Sequence, residues 1–555
     1  MTTTADVMVR RLIGHGVTTV FGLPGEENLA FVDALERADV ELVVTRHEQH
    51  AAFMAATHGR LTGSPGVCLA TLGPGATNLF TGLAHAELGG MPLIAITGQK
   101  PRVDNDEGSF QVLDIPASAR PLIRWASSVD DPRNASAVVD EAWQRALESR
   151  PGAVLVELPE DVAGATVDAH RRPLPRRSSA RVDAASLAQA SASINAAQHV
   201  VILASEGAQL HDVPVQLTAF SERTGIGVLA TQVGKGAFPE NHRHSLRALG
   251  IHRPDYAHLG IAPADLVITV GYQPVEHPPL AWNPDETKSI IHIAASPAAI
   301  ERGYQPIEQL VGDVASTLSA LADSITARST TQLTRTTQVI DRLLEAESQG
   351  PDFPPSPLAI VRSIRRELAP SDIVALDNGA FKIWFARHYP AAAPHTILLD
   401  NTLATMGAGL ATAMEAARLA EDNRVVAVCG DGGFLMNVQD LDTATRLGLD
   451  LTVVVLRDDA YGFIAWHQDE QDRPRTGVAL TNPDLGALAA AFGIAAHVVT
   501  PEAPFEAQFR AALAEPGVSL VDCPIDYGIN ERLSTDLHGI AERELANHPE
   551  KGSAQ

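Results

Sequence analysis

Two acidic side chains, Asp431 and Asp458, each follow an apolar run that predicts a buried β-strand. The first run covers residues 425–429 and leads into the glycine-rich turn at 430–433, and the second covers residues 451–456. Carboxylates suit Mg²⁺, which prefers a few of them together with phosphate oxygens and water. A glycine turn lets the backbone approach a phosphate closely. The pattern predicts a site for a diphosphate and a metal, whereas the simpler interpretation is a strand unit whose turns happen to contain Gly and Asp.

The elements that must position these two carboxylates form a strand, helix, strand unit between residues 424 and 462. Asp431 and Asp458 are 27 residues apart, the length of one crossover connection. A right-handed crossover places consecutive parallel strands in one sheet, and ligands bind beyond the carboxyl ends of such strands. We therefore expect the two side chains to lie next to each other.

The rest of the chain shows the same alternation of strand-like and helix-like segments. It has 555 residues, of which 45% are hydrophobic, so it can bury several cores. The predicted fold class is α/β, with three doubly wound parallel-sheet domains. The predicted boundaries are 1–168, 183–328 and 358–535 for the domains, 169–182 and 329–357 for the linkers, and 536–555 for a C-terminal tail.

Composition excludes several classes of function. The formal charge of −25 disfavours nucleic acid and anionic membrane surfaces as partners. Cys68, Cys429 and Cys523 lie in apolar runs without CxxC spacing, which indicates buried thiols in a reducing compartment. No signal-peptide pattern and no apolar run of about 18 residues occurs, so we expect a soluble, cytoplasmic protein.

The first domain has a ligand edge of its own. Glu48 follows a predicted strand, and the glycine-containing loop at 71–78 follows another strand and opens a helix. Judged by position alone, Glu48 is equally well explained as a surface residue at a helix start, where negative charge is favourable. The middle domain contains no cluster of side chains that we assign to catalysis.

Together these motifs resemble thiamine-diphosphate-dependent enzymes of the acetolactate synthase and pyruvate decarboxylase superfamily. The resemblance covers nearly the full length, in the order pyrimidine-binding, central and diphosphate-binding domain. Within the superfamily the chain is most similar to acetolactate synthases, on the motifs PGEEN, RHEQHAAFMAATHGRLTG, TLGPGATN and GQKP. The central segments GYQPVEHPPLAWNP and YQPIEQLVGD are similar to the FAD-independent catabolic branch, so FAD is not expected.

The resemblance implies a role for particular residues. Glu48 matches the carboxylate that polarises the aminopyrimidine of the cofactor, Met406 the apolar residue beneath the thiazolium, and Asp431, Asp458 and the Ala460 carbonyl the ligands of Mg²⁺. Without the matched motif, Met406 is better explained as a core residue. The full set of implied cofactor-binding residues is Glu48, Gly73, Pro74, Asn78, Ala404, Met406, Gly430, Asp431, Gly432, Gly433 and Tyr461.

The substrate side is implied by the same resemblance. Phe110 and Gln111 match a pair that lines the substrate in acetolactate synthases, and Phe463 and Trp466 either shape the acceptor pocket or pack their helix. Gln111 and Glu26 are the further catalytic candidates. Glu26 aligns with an acid used for proton relay in decarboxylases, but it is equally well explained as a solvated turn residue. Residues 103–119 contain no histidine, although a simple decarboxylase must protonate its intermediate.

The sequence therefore predicts a carboligase that decarboxylates pyruvate or a similar 2-oxoacid and joins the remainder to a second 2-oxoacid or aldehyde. A non-ligating 2-oxoacid decarboxylase is the alternative within the superfamily. A flavin or NAD oxidoreductase and an inactive scaffold homologue are the alternatives from other classes. The resemblance also implies a homodimer or homotetramer whose active sites lie between chains.

Overall fold

The computed structural model describes residues 2–104, 106, 108–168, 173–174, 181–250, 253–348, 350–420 and 422–547. Within this part of the chain the strands form three six-stranded sheets, and every strand pair inside them is parallel. The fold class predicted from the sequence is confirmed.

The N-terminal domain has the strand order β2-β1-β3-β4-β6-β5. Its strands are β1 Thr19–Gly22, β2 Glu41–Val44, β3 Gly66–Ala70, β4 Leu93–Gln99, β5 Trp125–Ser128 and β6 Ala153–Pro159. Its helices are α1 Thr4–Gly14, α2 Leu29–Arg37, α3 Glu48–Thr62, α4 Pro74–Leu88, α5 Ile115–Ala119, α6 Ala135–Ala146 and α7 Glu160–Ala163.

Alternation along β4 shows why this sheet is covered on both faces. Leu93 and Ala95 join one apolar cluster, and Ile94 and Ile96 join another on the opposite face. Successive side chains of a strand point to opposite faces, so a strand that is apolar throughout requires a helical layer on each side.

The central domain has the order β12-β11-β10-β7-β8-β9. Its strands are β7 Val200–Ala204, β8 Gly227–Ala230, β9 Ser245–Ala248, β10 Leu266–Val270, β11 Ser289–Ala294 and β12 Glu308–Val311. Its helices are α8 Ala184–Ala196, α9 Val213–Thr224, α10 His258–Ile261 and α11 Val314–Ala322, and α12 Thr331–Ala346 follows them.

The C-terminal domain has the order β14-β13-β15-β16-β18-β17. Its strands are β13 Ile373–Leu376, β14 Ile397–Leu398, β15 Val425–Gly430, β16 Leu451–Arg457, β17 Ala495–Val498 and β18 Val518–Pro524. Its helices are α13 Pro357–Glu367, α14 Phe381–His388, α15 Ala408–Leu419, α16 Asp431–Met436, α17 Leu441–Arg446, α18 Gly462–Glu470, α19 Leu485–Ala491 and α20 Phe505–Ala512, followed by α21 Leu537–Asn547.

The segments between and after the domains contain structure that the sequence analysis did not assign. Most of the proposed linker 169–182 lies outside the described residues. The proposed linker 329–357 carries the helix α12, and residues 537–547 of the proposed tail form α21, which packs on α12. The exact domain boundaries remain a prediction.

The N-terminal and C-terminal domains share one apolar core, in which α3 packs on α15. Phe53 of α3 and Met414 of α15 are both fully buried in it. Polar contacts flank the apolar ones: His50 Nε2 lies 3.1 Å from Met414 Sδ, and His58 Nδ1 lies 2.8 Å from Glu415 Oε1. Burial of this area ties the first and third domains into one body.

The two domains are joined head to tail. At the end of α3, Arg60 Nη1 donates to the carbonyl of Leu399, at the carboxyl ends of the C-terminal strands (2.9 Å). Arg46 lies at the carboxyl end of β2, just before α3 begins, and its amide donates to Asp440 Oδ1 (2.8 Å). Asp440 directly precedes α17, which leads back toward the start of β16. In these two contacts the carboxyl edge of one sheet faces the amino side of the other. A further contact joins the two amino sides, because Arg418 at the end of α15 donates to Thr19 Oγ1 and Glu41 Oε2 (3.1 Å each).

The cysteine prediction is confirmed as far as burial goes, because Cys68, Cys429 and Cys523 are all buried and free. Within the described residues, no helix combines the length and the apolar character needed to cross a bilayer.

The contact between α3 and α4 gives a test of the shared core. A Cβ added to Gly82 would lie 2.4 Å from Ala52 Cβ, so Gly82→Ala should overpack the two helices and lower the free energy of unfolding by about 1–3 kcal/mol. Gly164→Ala is the control, since its nearest neighbour is the Glu160 carbonyl at 3.7 Å, and should shift stability by only about 0.5 kcal/mol. Equal denaturation curves for the two variants would contradict this packing.

Candidate active site

The carboxyl edge of the C-terminal sheet brings Asp431 and Asp458 together, as the sequence predicts. β15 and β16 pair in parallel with Gly430 opposite Leu456, so both carboxylates emerge at the same edge. The amide of Asp459 donates to Asp431 Oδ2 (2.9 Å), which fixes the turn after β16 to the turn after β15. Asp459 adopts φ +52°, a left-handed conformation that is uncommon for a residue other than glycine.

Asp431 is held by hydrogen bonds from its surroundings. Its Oδ1 accepts from the Gly432 amide (2.8 Å), and its Oδ2 also accepts from Asn482 Nδ2 (2.7 Å). Asn482 Nδ2 reaches Asp459 Oδ1 as well (2.7 Å). The sequence analysis missed Asn482, because it lies in an irregular stretch beyond α18 and not at the end of a strand.

The two carboxylates repel each other. Burial, and then the nearby charge of Asp431, raise the pKa of Asp458 to about 7. Burial likewise raises the pKa of Asp431. A cation between them would favour the ionised form of both, and two carboxylates with a backbone carbonyl, that of Ala460, are a donor set that suits Mg²⁺.

The protein alone does not complete a metal shell. Among the described residues no group of three or more His, Cys, Asp or Glu side chains is arranged to hold a metal ion. A site with two carboxylates keeps positions for the oxygens of a phosphorylated ligand and for water. The residues present therefore fit a metal that binds together with a diphosphate.

Packing within the protein leaves no room for a side chain at two glycines of this turn, Gly432 and Gly433. A Cβ on Gly432 would lie 2.9 Å from the ring of Tyr461, and one on Gly433 would lie 2.2 Å from Asp377 Oδ2. At Gly430 the nearest atom would be 3.5 Å away, so that position has room. The close approaches at the second and third glycines explain their presence without any ligand.

The loop of residues 400–407, which we call the 400s loop, carries Ala404 and Met406. Ala404 adopts φ +52°. The loop ends at Gly407, whose amide donates to Asp377 Oδ1 (2.9 Å). Asp377 is fully buried, and burial raises its pKa to about 6. Asp377 was also missed by the sequence analysis.

The carboxyl edge of the N-terminal sheet assembles the second set of candidates. Glu48 is the first residue of α3, and Asn78 Nδ2 donates to its Oε2 (2.9 Å). A Cβ on Gly75 would lie 3.3 Å from Glu48 Oε1, so this position is close to the carboxylate. Gly73 has φ +49° and precedes Pro74, the first residue of α4. It lies close to the backbone of Gln111, since a Cβ added to Gly73 would be 2.7 Å from the Gln111 carbonyl oxygen.

These two edges do not meet within one chain, because the domains pack head to tail. The 12 residues from Glu48 to Arg60 span about 18 Å at the rise of an α-helix, and it is Arg60 that contacts Leu399, the residue before the 400s loop. On α4, His85 Nδ1 lies 3.5 Å from Thr405 Oγ1 of the loop. His85 is seven residues, or about 10 Å along the helix, beyond Asn78, the residue that bonds to Glu48. These rises along α3 and α4 place Glu48 and Met406 of the same chain apart, not side by side.

Comparison with protein families agrees with this division into two ligand-binding domains. Residues 2–118 match the model described as "Thiamine pyrophosphate enzyme, N-terminal TPP binding domain", residues 187–321 the central domain and residues 377–523 the C-terminal TPP binding domain. The chain belongs to the thiamine pyrophosphate enzymes. Thiamine pyrophosphate is another name for thiamine diphosphate.

Several relatives of this thiamine pyrophosphate enzyme are acetolactate synthases that match over almost their full length. Acetolactate synthase of Bacillus subtilis is 31% identical, with 96% of this chain and 95% of the relative covered. The catabolic acetolactate synthase of Raoultella terrigena is 33% identical, with 96% and 97% covered. The isozyme 2 large subunit of Escherichia coli is 32% identical, with 94% and 95% covered.

The predicted substrate-side residues of the enzyme fall into two separate pairs. Phe110 and Gln111 are exposed at the N-terminal edge, Phe110 by 77%, and Gln111 adopts φ +61°. Phe463 and Trp466 lie on α18 with ring centroids 5.7 Å apart and pack partly buried against the C-terminal core. The two residues of each pair are therefore neighbours, but the two pairs lie on different domains.

The two neighbouring glutamates near the N-terminal edge differ in environment. Glu26, the predicted catalytic candidate, is exposed, whereas Glu27 is 4% exposed. Glu27 accepts from Thr71 Oγ1 (2.8 Å) and pairs with Lys100 Nζ (2.5 Å). Burial opposes ionisation of Glu27, but the bonds from Lys100 and Thr71 outweigh it and lower the pKa. Sequence alone gave no means of telling the two glutamates apart.

The paired carboxylates lead to a test by substitution. Asp458→Ala should weaken binding of thiamine diphosphate with Mg²⁺ by at least about tenfold, measured by calorimetry, because one of the two charged metal donors is lost. Asp469→Ala is the control: its side chain is 44% exposed and pairs with Arg475 (2.6 Å), so the change should stay within about threefold. Equal losses in the two variants would exclude Asp458 as a ligand.

Proposed function

We propose that this enzyme is a Mg²⁺- and thiamine-diphosphate-dependent carboligase that decarboxylates pyruvate or a similar 2-oxoacid. The two-carbon remainder is then joined to the carbonyl of a second 2-oxoacid or an aldehyde. The proposal rests on one observation above all: a chain with paired carboxylates at one sheet edge and Glu48 at another aligns from end to end with acetolactate synthases. Thiamine diphosphate, when bound, supplies the electron sink for decarboxylation.

Glu48 has the environment that its proposed role requires. Asn78 occupies only Oε2 of the carboxylate, so Oε1 is left to accept a proton or hydrogen bond from the ring nitrogen of the aminopyrimidine. The absence of a side chain at Gly75, close to Oε1, keeps that approach open. A carboxylate so held polarises the ring without having to reorganise.

At the other edge, Asp431, Asp458 and the Ala460 carbonyl would hold Mg²⁺ on the diphosphate. The like charges of the two carboxylates make this edge unsuitable for an anion by itself. The metal therefore has to be present for the diphosphate to bind, and binding should depend steeply on Mg²⁺ concentration.

Between the two edges, the 400s loop would present the Ala404 carbonyl as an acceptor for the cofactor's amino group and Met406 as the support of its thiazolium. The strained backbone at Ala404 is consistent with a carbonyl held in a required direction. Substrate would be enclosed by Phe110 and Gln111 from one side and by Phe463 and Trp466 from the other.

The active sites are proposed to lie between two chains, in a homodimer or a tetramer built from such dimers. Head-to-tail packing separates Glu48 from the 400s loop within one chain, so a second copy is needed to bring the two edges together. Apolar side chains exposed at both edges agree with coverage by a partner. They are Val103 (84% exposed) and Phe110 (77%) at the first edge and Leu403 (36%), Met436 (46%) and Ile464 (51%) at the second.

Ligation is favoured over simple decarboxylation because residues 103–119 supply no histidine that could protonate the two-carbon fragment left after CO₂ is lost. Transfer to a second carbonyl compound requires no such proton donor at carbon. FAD is not needed for this reaction, since no net oxidation takes place.

Product analysis tests the proposal. With Mg²⁺, thiamine diphosphate and pyruvate, we expect CO₂ and 2-acetolactate without free acetaldehyde, and addition of 2-oxobutyrate or an aldehyde should divert part of the product to the mixed ligation compound. The control reaction contains EDTA in place of Mg²⁺. Acetaldehyde equal to the CO₂ released would favour the non-ligating decarboxylase, a yellow purified protein would favour a flavin enzyme, and failure to bind the cofactor would favour an inactive homologue.

A further inference from the structure

Lys382, near the start of α14, is a buried cation that forms no direct ion pair among the described residues, although the carboxylate of Asp400 is close enough to attract it. The residue is 6% exposed, and burial lowers its pKa to about 8. The ion pairs of the described residues include Lys100 with Glu27 and Lys235 with Glu240, but none with Lys382. Burying an ammonium group is costly unless its hydrogen bonds are satisfied, so its bonds must explain its place.

All three donors of Lys382 are used at the 400s loop. Nζ donates to Asn378 Oδ1 (2.5 Å), to the Asp400 carbonyl (2.8 Å) and to Asn401 Oδ1 (3.2 Å). Asn378 in turn donates Nδ2 to the carbonyl of Thr405 (2.8 Å). Lys382 therefore links the beginning of the loop, directly and through Asn378, to its end.

Asp400 closes the turn inside the loop. Its Oδ1 accepts from the amide (3.0 Å) and hydroxyl (2.8 Å) of Thr402, and its Oδ2 accepts from the amide of Ala404 (2.9 Å). Burial opposes its ionisation, but His85, Lys382 and Thr402 hold the pKa of Asp400 well below its usual range. The last of the three contacts fixes Ala404 in its left-handed conformation, which a residue with a Cβ does not adopt without such restraint.

The loop is also held by the two other domains of its own chain. Asn401 Nδ2 donates to the carbonyl of Glu276 in the central domain (3.1 Å). His85 of α4 in the N-terminal domain lies with Nδ1 3.5 Å from Asp400 Oδ2. The conformation of the loop is thus set by groups from all three domains.

We propose that Lys382 and Asp400 are positioning residues that lock the 400s loop in the conformation that receives the cofactor. They act through the loop: Asp400 holds the amide of Ala404, and Lys382 ties Asp400, through Asn378, to Thr405, the residue before Met406. The inference rests on the proposed function, because it assigns these residues to the binding of thiamine diphosphate. Neither residue touches the reacting atoms.

Asp400→Asn is the first test, since an amide keeps the shape but cannot accept from both Thr402 and Ala404 without losing one contact to its own NH₂ group. Hydrogen exchange of the backbone at residues 399–407 is measured in the cofactor-free protein, and calorimetry gives the Kd of thiamine diphosphate with Mg²⁺. If the competent loop falls from nearly the whole population to about a tenth of it, the Kd rises about tenfold. Exchange follows the open fraction, so it rises by more than tenfold. Thr402→Val is the control: it removes only the hydroxyl contact and should change both by less than about threefold.

Lys382→Met gives a second test with its own control. It removes the link between the loop ends and should raise exchange at residues 399–407 and the Kd by about tenfold or more. Lys288→Met is the control: Lys288 is a half-buried lysine whose Nζ also donates to backbone carbonyls, those of Ala262 (2.8 Å) and Ala264 (2.9 Å), within the central domain. The substitution should lower thermal stability without changing exchange of the loop relative to the rest of the protein.

The outcomes separate the two proposals. Faster loop exchange with weaker binding in Asp400→Asn and Lys382→Met supports the positioning role. Exchange of the loop unchanged from wild type, or binding weakened equally by Lys288→Met, overturns it. Failure of the wild type to bind thiamine diphosphate overturns the proposed function, while the exchange measurement still decides whether Lys382 and Asp400 hold the loop.

Discussion

The head-to-tail packing of the first and third domains is the constraint on which the rest of the structure depends. α3 lies on α15, with Arg60 at Leu399 on one side and Arg46 at Asp440 on the other. Because parallel sheets bind ligands at their carboxyl edges, each chain presents two separate candidate half-sites. A chain that buries its own core in this way is left with two incomplete edges.

Each edge is prepared for a different end of one ligand. At the C-terminal edge, the repulsion between Asp431 and Asp458 is relieved by a cation, which in turn makes the edge fit for a diphosphate. At the N-terminal edge, Glu48 offers one free oxygen, while Asn78 holds the other. The chemistry of the proposed cofactor needs both, so in the proposed function metal binding and ring activation come from different domains.

The sequence was sufficient for those parts of the molecule that depend on local patterns. Strand ends followed by Gly and Asp predicted the edge at Asp431 and Asp458, and continuous apolar runs predicted parallel sheets covered on both faces. Asn482, Asp377 and Glu27 were not predicted, because their importance comes from contacts with residues distant in the chain. Lys382 was hidden for the same reason: nothing in its neighbours shows that a lysine within an apolar helix would be buried at a loop 18 residues away.

The central claim is that one active site takes Glu48 from one chain and Asp431 from another. It is tested by mixing two inactive variants, Glu48→Gln and Asp431→Ala, under conditions that let subunits exchange, and measuring turnover of pyruvate. If the site is shared, a mixed dimer has one site with both lesions and one with neither, so about a quarter of wild-type activity should return at equal amounts. If both residues act from the same chain, no intact site can form and the mixture stays as inactive as either variant alone, which would contradict the account.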